Sequence, residues 1–277
     1  MAEEVPMMDY MVLTRNDAST IRLTIASIRN QTNVHRVIVI LSASSSDGTA
    51  SIVNELNGRG MIDKVIIENQ GLTYGRCLAI AEAETEYFAF VDADVILSPR
   101  WAERMWMHIA GSDECIGAAF GALYRNKAHE TWLRETERVR TIPVGTRMYT
   151  HNTMVRSESA KGWAPKARYD GYEDYLVTRH IQKSPCGAVL SLPVISEHRH
   201  RGSVVRSAIW AGAGARVTGY HPTLRSVLRR AMIRAGVGLK RSLTRRELWF
   251  FLYAVQQGIG MTWGYVGWKK YLGVIGR

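Results

Sequence analysis

Two aspartates one residue apart close an aromatic, uncharged run in the stretch EYFAFVDADVILSPRW, residues 86–101. Tyr87 to Val91 reads as a buried strand, and in an extended backbone Asp92 and Asp94 project to the same side. Carboxylates so placed repel each other unless something cationic lies beside them. Mg2+ or Mn2+ suits such a pair, because these ions take hard oxygen ligands and complete their shell with water and substrate phosphate. Two acids exposed at a strand end are the plainer alternative, and a D-x-D alone does not choose. Further along, Glu173 and Asp174 open YEDYLVTRHIQKS (172–184), where carboxylates either compensate the helix dipole or supply a general base. EHRH at 197–200 sets two histidines beside an arginine.

The elements that must position these groups alternate in the first half of the chain. YMVLT (10–14), HRVIVIL (35–41), DKVIIE (63–68) and YFAFVD read as strands. Helical spacing marks 17–31, 50–57 and 75–84 between them. Strands separated by helices of this length predict a parallel sheet covered on both faces. Ligands of such sheets bind beyond the carboxyl ends of the strands. Thr14–Asp17, Ser42–Asp47 and Asp92–Asp94 all fall at such ends, so three polar loops converge on one crevice. The middle is less regular: a strand is expected at 115–124, a polar helix at 129–140, and a helix at 172–184.

The 277 residues carry a net charge of +11, unevenly spread. No acid occurs between Glu197 and Glu247, which suggests a surface that meets anions. PTLRSVLRRAMIRAGV (222–237) is basic and amphipathic. The 21 residues 248–268 carry no charge and reach the roughly 20 that a membrane span needs, but two glutamines and four glycines interrupt them. A span, an interfacial helix and a packing helix all stay open for this segment. Cys77, Cys115 and Cys186 are odd in number and lack C-x-x-C spacing, which argues against a disulfide framework or zinc site and for a reducing setting. The acidic start, MAEEVPMMDY, lacks the pattern of a signal peptide.

The order of these motifs resembles the family 2 glycosyltransferases, enzymes of the GT-A fold that use nucleotide sugars. The resemblance runs over about residues 8–205 through LTRND, SASSSDGTASIV, NQGLTYGRCLAIAEAETEYFAFVDADV, HNTMVRSESAKGW (an acceptor-side loop) and GYEDYLVTR. It implies an α/β fold: a Rossmann-like GT-A domain with a mixed, mostly parallel sheet at 1–204, divided into a nucleotide-sugar half (8–110) and an acceptor half (111–204). A basic, helical, membrane-associated extension follows at 205–277. The nucleotide-sugar site implied comprises Thr14, Asn16, Asp17, Ser42, Asp47, Arg76, Asp92 and Ala93. Asp94, Asp92 and His198 are the implied metal ligands for Mn2+ or Mg2+. Asp174 is implied as general base, with Glu173 orienting it or binding acceptor. Asn152, Arg179, His200 and Arg201 are candidates for the acceptor or its phosphate. Where the family places paired aspartates, Ser42 and Ala43 stand here, so the donor base is not named by the resemblance.

The function expected is metal-dependent transfer of a sugar from a nucleotide-diphosphate sugar to a hydroxyl of a glycan or lipid-linked acceptor, with inversion favoured and retention open. A polyprenyl-phosphate acceptor is the alternative within the same chemistry. An anionic membrane surface, met through 205–277 at the cytoplasmic face, is the expected partner; oligomeric state is left open. A phosphatase of the haloacid dehalogenase type fits less well, because Ile96 stands where its pattern wants Thr or Val. A basic membrane- or nucleic-acid-binding protein without catalysis is the reading from a different class. The basic tail carries no nucleic-acid motif, and its Trp-rich stretch suits lipid better.

Overall fold

In this computed structural model the structure describes residues 4–165, 173–199, 203–221 and 223–270. The chain forms two compact units. The first comprises residues 4–70, 74–165 and 174–199; the second comprises the described residues from 203 onward with 71–73 and Glu173.

In the first unit β1 (Met8–Thr14), β2 (Val34–Ser42), β3 (Lys64–Glu68) and β4 (Tyr87–Asp92) run parallel in the order β3-β2-β1-β4. Helices α1 (Ile21–Arg29), α2 (Thr49–Gly58) and α3 (Leu72–Glu82) alternate with them along the chain. Every residue of β1 is buried, as expected of a central parallel strand covered on both faces. Its one charge, Asp9, is fully buried against Arg36 at 2.7 Å and His35 at 2.8 Å, and accepts the Glu84 N–H at 2.9 Å. Burial opposes the charged form of Asp9, but these partners outweigh it and hold the carboxyl below its usual range.

The remaining elements of this unit are β5 (Val95–Ile96), α4 (Trp101–Ala110), β6 (Ile116–Tyr124), α5 (Lys127–Thr136), β7 (Arg140–Thr141), β8 (Asn152–Arg156), α6 (Ser157–Ala160), α7 (Glu173–Ile181) and β9 (Ala188–His198). The sheet continues β4-β8-β6-β9-β5, with β7 on β9. β8 is antiparallel to both β4 and β6, which makes the sheet mixed. It corrects the reading of HNTMVRSESAKGW as a loop: Asn152–Arg156 is a strand inside the sheet, and its Thr, Met and Val suit a buried pleated surface. The parallel pairing of β6 with β9 sets Ile116 opposite Ala188. It thereby joins Cys115 to Cys186 in a disulfide 71 residues apart, a link the odd cysteine count argued against. The argument from cysteines for a reducing compartment falls with it.

The second unit contains α8 (Val204–Val217), α9 (Leu224–Arg245) and α10 (Trp249–Val266). Its core gathers Ala208, Val227, Met261 and Tyr265. Arg216 donates to the Tyr265 hydroxyl at 2.7 Å and stacks over its ring. The glycines of α10 permit close helix packing: a Cβ on Gly264 would collide with the Ile209 carbonyl of α8, and one on Gly260 with Ala208. No helix among the described residues is long and apolar enough to cross a membrane. Of the three readings left open for 248–268, a span is not what α10 forms; one side of the helix packs through its glycines, and Leu252, Ile259, Trp263 and Val266 stay exposed.

Candidate active site

The ends of β1, β2 and β4 lie side by side, because Thr14 pairs with Leu41 and Leu13 with Asp92. The loops after β1 and β2 are hydrogen-bonded into one piece. Asn16, at a left-handed φ of 61°, accepts the Ser46 N–H through its side chain at 2.8 Å. Asp47 accepts the Ala18 and Thr49 N–H groups, both at 3.1 Å, and Thr49 in turn accepts the Asp17 N–H at 2.8 Å. The Ser42 hydroxyl meets that of Ser44 at 3.0 Å. Asp17 Oδ2 accepts the Thr14 hydroxyl at 3.0 Å and the Arg15 N–H at 2.9 Å. Burial, together with the charges of Asp94 and Asp92, nevertheless pushes the Asp17 carboxyl up to about 6.

The strand-end carboxylates each meet a basic group. Gly75 lets α3 approach β1 and β2, since a Cβ there would stand 3.3 Å from both Ile40 and Leu13. The next residue, Arg76, is 1% exposed, lies over the Phe90 ring at 4.8 Å and donates to Asp92 Oδ1 at 2.9 Å. Asp94 Oδ2 stands 3.1 Å from His198 Nε2 across 104 residues of chain. The framework fixes that contact: Val95 pairs with His198 in the antiparallel β5–β9 ladder, and the Arg199 N–H donates to the Asp94 carbonyl at 2.8 Å. Ala93 is buried, its N–H donating to Leu13 O and its carbonyl accepting the Thr24 hydroxyl. Both its backbone groups thus serve the scaffold, and they fix the backbone between Asp92 and Asp94.

A second group of side chains comes from 147–151, just before β8, and from α7. The Asp92 N–H donates to the His151 carbonyl at 3.2 Å, which ties this segment to the end of β4. His151 stacks on Tyr149 at 5.3 Å and faces His198 at 6.3 Å. Burial first, then the nearby His198, holds the His151 ring well below its usual pKa, so it is neutral at physiological pH. Arg147 lies over Tyr149 at 4.8 Å and pairs with Asp174 Oδ2 at 3.2 Å. Asp174 is 8% exposed and accepts its neighbour's Tyr175 N–H at 2.8 Å. Burial raises its pKa, Arg147 and Arg76 pull it down, and the charge of Asp92 raises it. The carboxylate at the start of α7 and the one at the end of β4 therefore share one electrostatic field.

Sequence reasoning did not single out Arg147, Tyr149 or His151. Their spacing of two, which puts them on one side of an extended chain, was the available signal. Asn152 requires a correction: it is fully buried, its Oδ1 accepts the Trp101 indole N–H at 2.6 Å, and its amide nitrogen donates to the Ala122 carbonyl. It organises the core and presents nothing to an acceptor. Arg179 is exposed on α7, with its guanidinium 5.8 Å from the Tyr175 ring. Glu173 is buried at the first position of α7. His200 and Arg201 lie outside the described residues.

A family model described as glycosyl transferase family 2 matches residues 10–163, which takes in the three strand-end loops, the Asp92–Asp94 pair and the segment 147–151. The chain belongs to glycosyltransferase family 2. EpsH of Bacillus subtilis (strain 168), named as a glycosyltransferase, is 34% identical over 111 residues, 40% of this chain and 32% of its own length. An uncharacterised glycosyltransferase of Haemophilus influenzae is 29% identical over 113 residues, 40% of this chain and 35% of its own. The match thus spans about a third of the length of these curated relatives. Among solved structures, the mannosyltransferase PcManGT of Pyrobaculum calidifontis, in complex with GDP-Man and Mn2+, superposes with a TM-score of 0.62 at 16% identity, covering 94% of this chain and 88% of that one. TarS 1-349 of S. aureus, in complex with UDP-GlcNAc, gives 0.54 at 13% identity over 95% and 92%. Glucosyl-3-phosphoglycerate synthase of Mycobacterium tuberculosis, with Mn2+, UDP and glucosyl-3-phosphoglycerate, gives 0.51 at 16% identity over 71% and 73%. At these identities the likeness establishes the shared fold.

The residues of this transferase can be tested against a divalent ion on their own geometry. Two ligands at right angles on an octahedral ion, each at about 2.1 Å, lie about 3 Å apart. Asp94 Oδ2 and His198 Nε2 have that separation, at 3.1 Å. No cluster of three His, Cys, Asp or Glu side chains among the described residues is placed to hold a metal, and Asp92 is engaged by Arg76. The donor set thus fits an ion held by two protein groups and completed by water and phosphate oxygens, the mode usual for Mg2+ and Mn2+.

Proposed function

We propose that this glycosyltransferase moves a sugar from a nucleotide-diphosphate sugar to a hydroxyl of a glycan or lipid-linked acceptor, with inversion at the anomeric carbon. The observation that carries the reading is Asp174: a buried carboxyl with a raised pKa, aligned by Arg147 and within the field of Asp92. A raised pKa suits a general base operating near neutral pH. Asp174 takes the proton from the attacking hydroxyl, the hydroxyl oxygen bonds to the anomeric carbon, and the bond to the diphosphate breaks with its electrons on the departing phosphate oxygen. Asp94 and His198 would hold the divalent ion, whose contribution when bound is charge neutralisation of the diphosphate. Arg76 holds the Asp92 side chain in place through their ion pair. Thr14 and Asp17 line the nucleotide pocket, while Asn16 and Asp47 hold its two loops together. Two structures of the same fold that contain a nucleotide or nucleotide sugar also contain Mn2+, which supports the assignment of the metal.

The test is a donor panel assayed for nucleotide release with Mn2+, Mg2+ or chelator present. One nucleotide sugar turned over in a metal-dependent way by the wild type, and not by Asp94→Ala, is the expected result. No turnover of any nucleotide sugar by the folded, metal-supplied protein across acceptor hydroxyls would refute the reading.

A further inference from the structure

The helical unit carries features that the transfer reaction does not use. Four arginines of α9, Arg225, Arg229, Arg230 and Arg234, line one cavity of about 780 Å3 together with Thr223 and Ser226. Arg225 and Arg229 are exposed, while Arg230 donates to the Tyr220 hydroxyl at 3.2 Å and is thereby held in place. No side-chain carboxylate occurs from residue 198 to 246, and Glu247 is the only one beyond. Carboxylates are thus sparse along this stretch of chain, as suits a surface that meets an external anion. At 3.6 residues per turn, Leu224, Leu228, Met232, Leu239 and Leu243 fall within an arc of about 100° next to the arginines. All five are exposed, Met232 at 69% and Leu243 at 73%. A second exposed stripe runs along α10 through Leu252, Ile259, Trp263 and Val266.

We propose that α9 docks this protein on an anionic lipid surface. Its leucine and methionine stripe enters the boundary of the acyl layer, and the arginine-lined cavity takes lipid phosphates. An apolar stripe flanked by arginines on a helix that cannot span is the arrangement of an interfacial helix, and phosphates of an anionic leaflet are the complementary charge. Nucleic acid would satisfy the arginines but offers the apolar stripe no partner. Arginine also suits phosphate better than lysine would, through its planar, bidentate donors. The inference stands apart from the transfer reaction, since it concerns other residues and is measured without any sugar donor.

Cosedimentation of the full chain with vesicles tests it, comparing phosphatidylcholine alone with mixtures containing phosphatidylglycerol. Binding confined to the phosphatidylglycerol vesicles and weakened by salt is expected. The Arg225→Gln/Arg229→Gln variant should bind more weakly by roughly fivefold per arginine, while Arg225→Lys/Arg229→Lys recovers most of the loss. Met232→Ser/Leu243→Ser should weaken binding in a way that salt does not reproduce. Equal binding to both lipids, no binding to either, or wild-type binding by the Gln variant would each overturn the proposal. So would tight binding of an oligonucleotide by a protein that leaves the vesicles in solution. The lipid comparison on the wild type stands alone should a variant fail to fold, and a nucleotide-induced thermal shift on the same variants keeps this outcome separate from that of the transferase reading.

Discussion

The loops after β1 and β2 and the segment 147–151 with α7 belong to the same candidate site but are held by different forces. The loops are stitched by hydrogen bonds in which the side-chain oxygens of Asn16, Asp47 and Thr49 accept from backbone N–H groups. Most of their polar side chains are thereby engaged in shaping the loops. The segment 147–151 is held by stacked rings and by the Arg147–Asp174 ion pair, and it keeps Asp174 poised between burial and a cation. In the proposed mechanism, the strand-end scaffold thus uses acids as structural ties on one side and one acid, Asp174, as a base on the other. Only the second use draws its function from a perturbed pKa.

Removing the base should separate the two regions most sharply. Asp174→Asn is expected to lower the transfer rate about 10²–10⁴-fold while leaving nucleotide-induced thermal stabilisation intact; equal loss of both would mean that Asp174 builds the pocket rather than the chemistry. Next in size is the scaffold itself. Asp9→Ala strands Arg36 beside a buried gap and should cost about 3–5 kcal/mol in denaturant unfolding. Because the folded-state pKa of Asp9 is lowered, its contribution is present above its unfolded pKa and is lost as pH falls through the folded value. The wild type and Asp9→Ala should therefore converge in acid.

Arg147→Gln should act through Asp174. Loss of the cation leaves burial less opposed, raises the pKa of the base and moves the acidic limb of the kcat–pH profile upward. A merely structural role for Arg147 would lower the rate without moving that limb. The smallest effect is expected at Asp17. Its pKa of about 6 means that ionisation opposes folding: stability is full below its unfolded pKa and declines as pH rises toward about 6. Asp17→Asn should thus be more stable than wild type at pH 7, on the order of 1 kcal/mol, with the gain vanishing in acid, while nucleotide binding weakens.

The same contrast explains what the sequence discloses. The strands and loop ends of the β1–β4 region are legible because parallel core strands are continuous apolar runs that end abruptly in polar residues. Asp92, Asp94 and His198 were nameable as a set only through the family resemblance, since 104 residues separate Asp94 from its histidine and the β5–β9 ladder that joins them is two pairs long. Arg147, Tyr149 and His151 precede β8 in a stretch without regular structure, where composition carries little signal. Asn152 reads as an acceptor residue by motif, yet tertiary packing turns it toward Trp101. The pairing of Cys115 with Cys186 depends on the parallel register of β6 and β9, which no local pattern reveals. In α10 the glycines looked like a defect in a membrane span; they are the close-approach positions of a packed helix.

The most direct measurement is calorimetric titration of nucleoside diphosphates into the wild type and Asp94→Ala, with and without Mn2+. The account predicts that one nucleoside diphosphate binds only when Mn2+ is present, and that Asp94→Ala loses this binding while keeping its fold. Binding indifferent to Mn2+, or unchanged in Asp94→Ala, would contradict the placement of a divalent ion between Asp94 and His198 and with it the proposed role of the strand-end carboxylates.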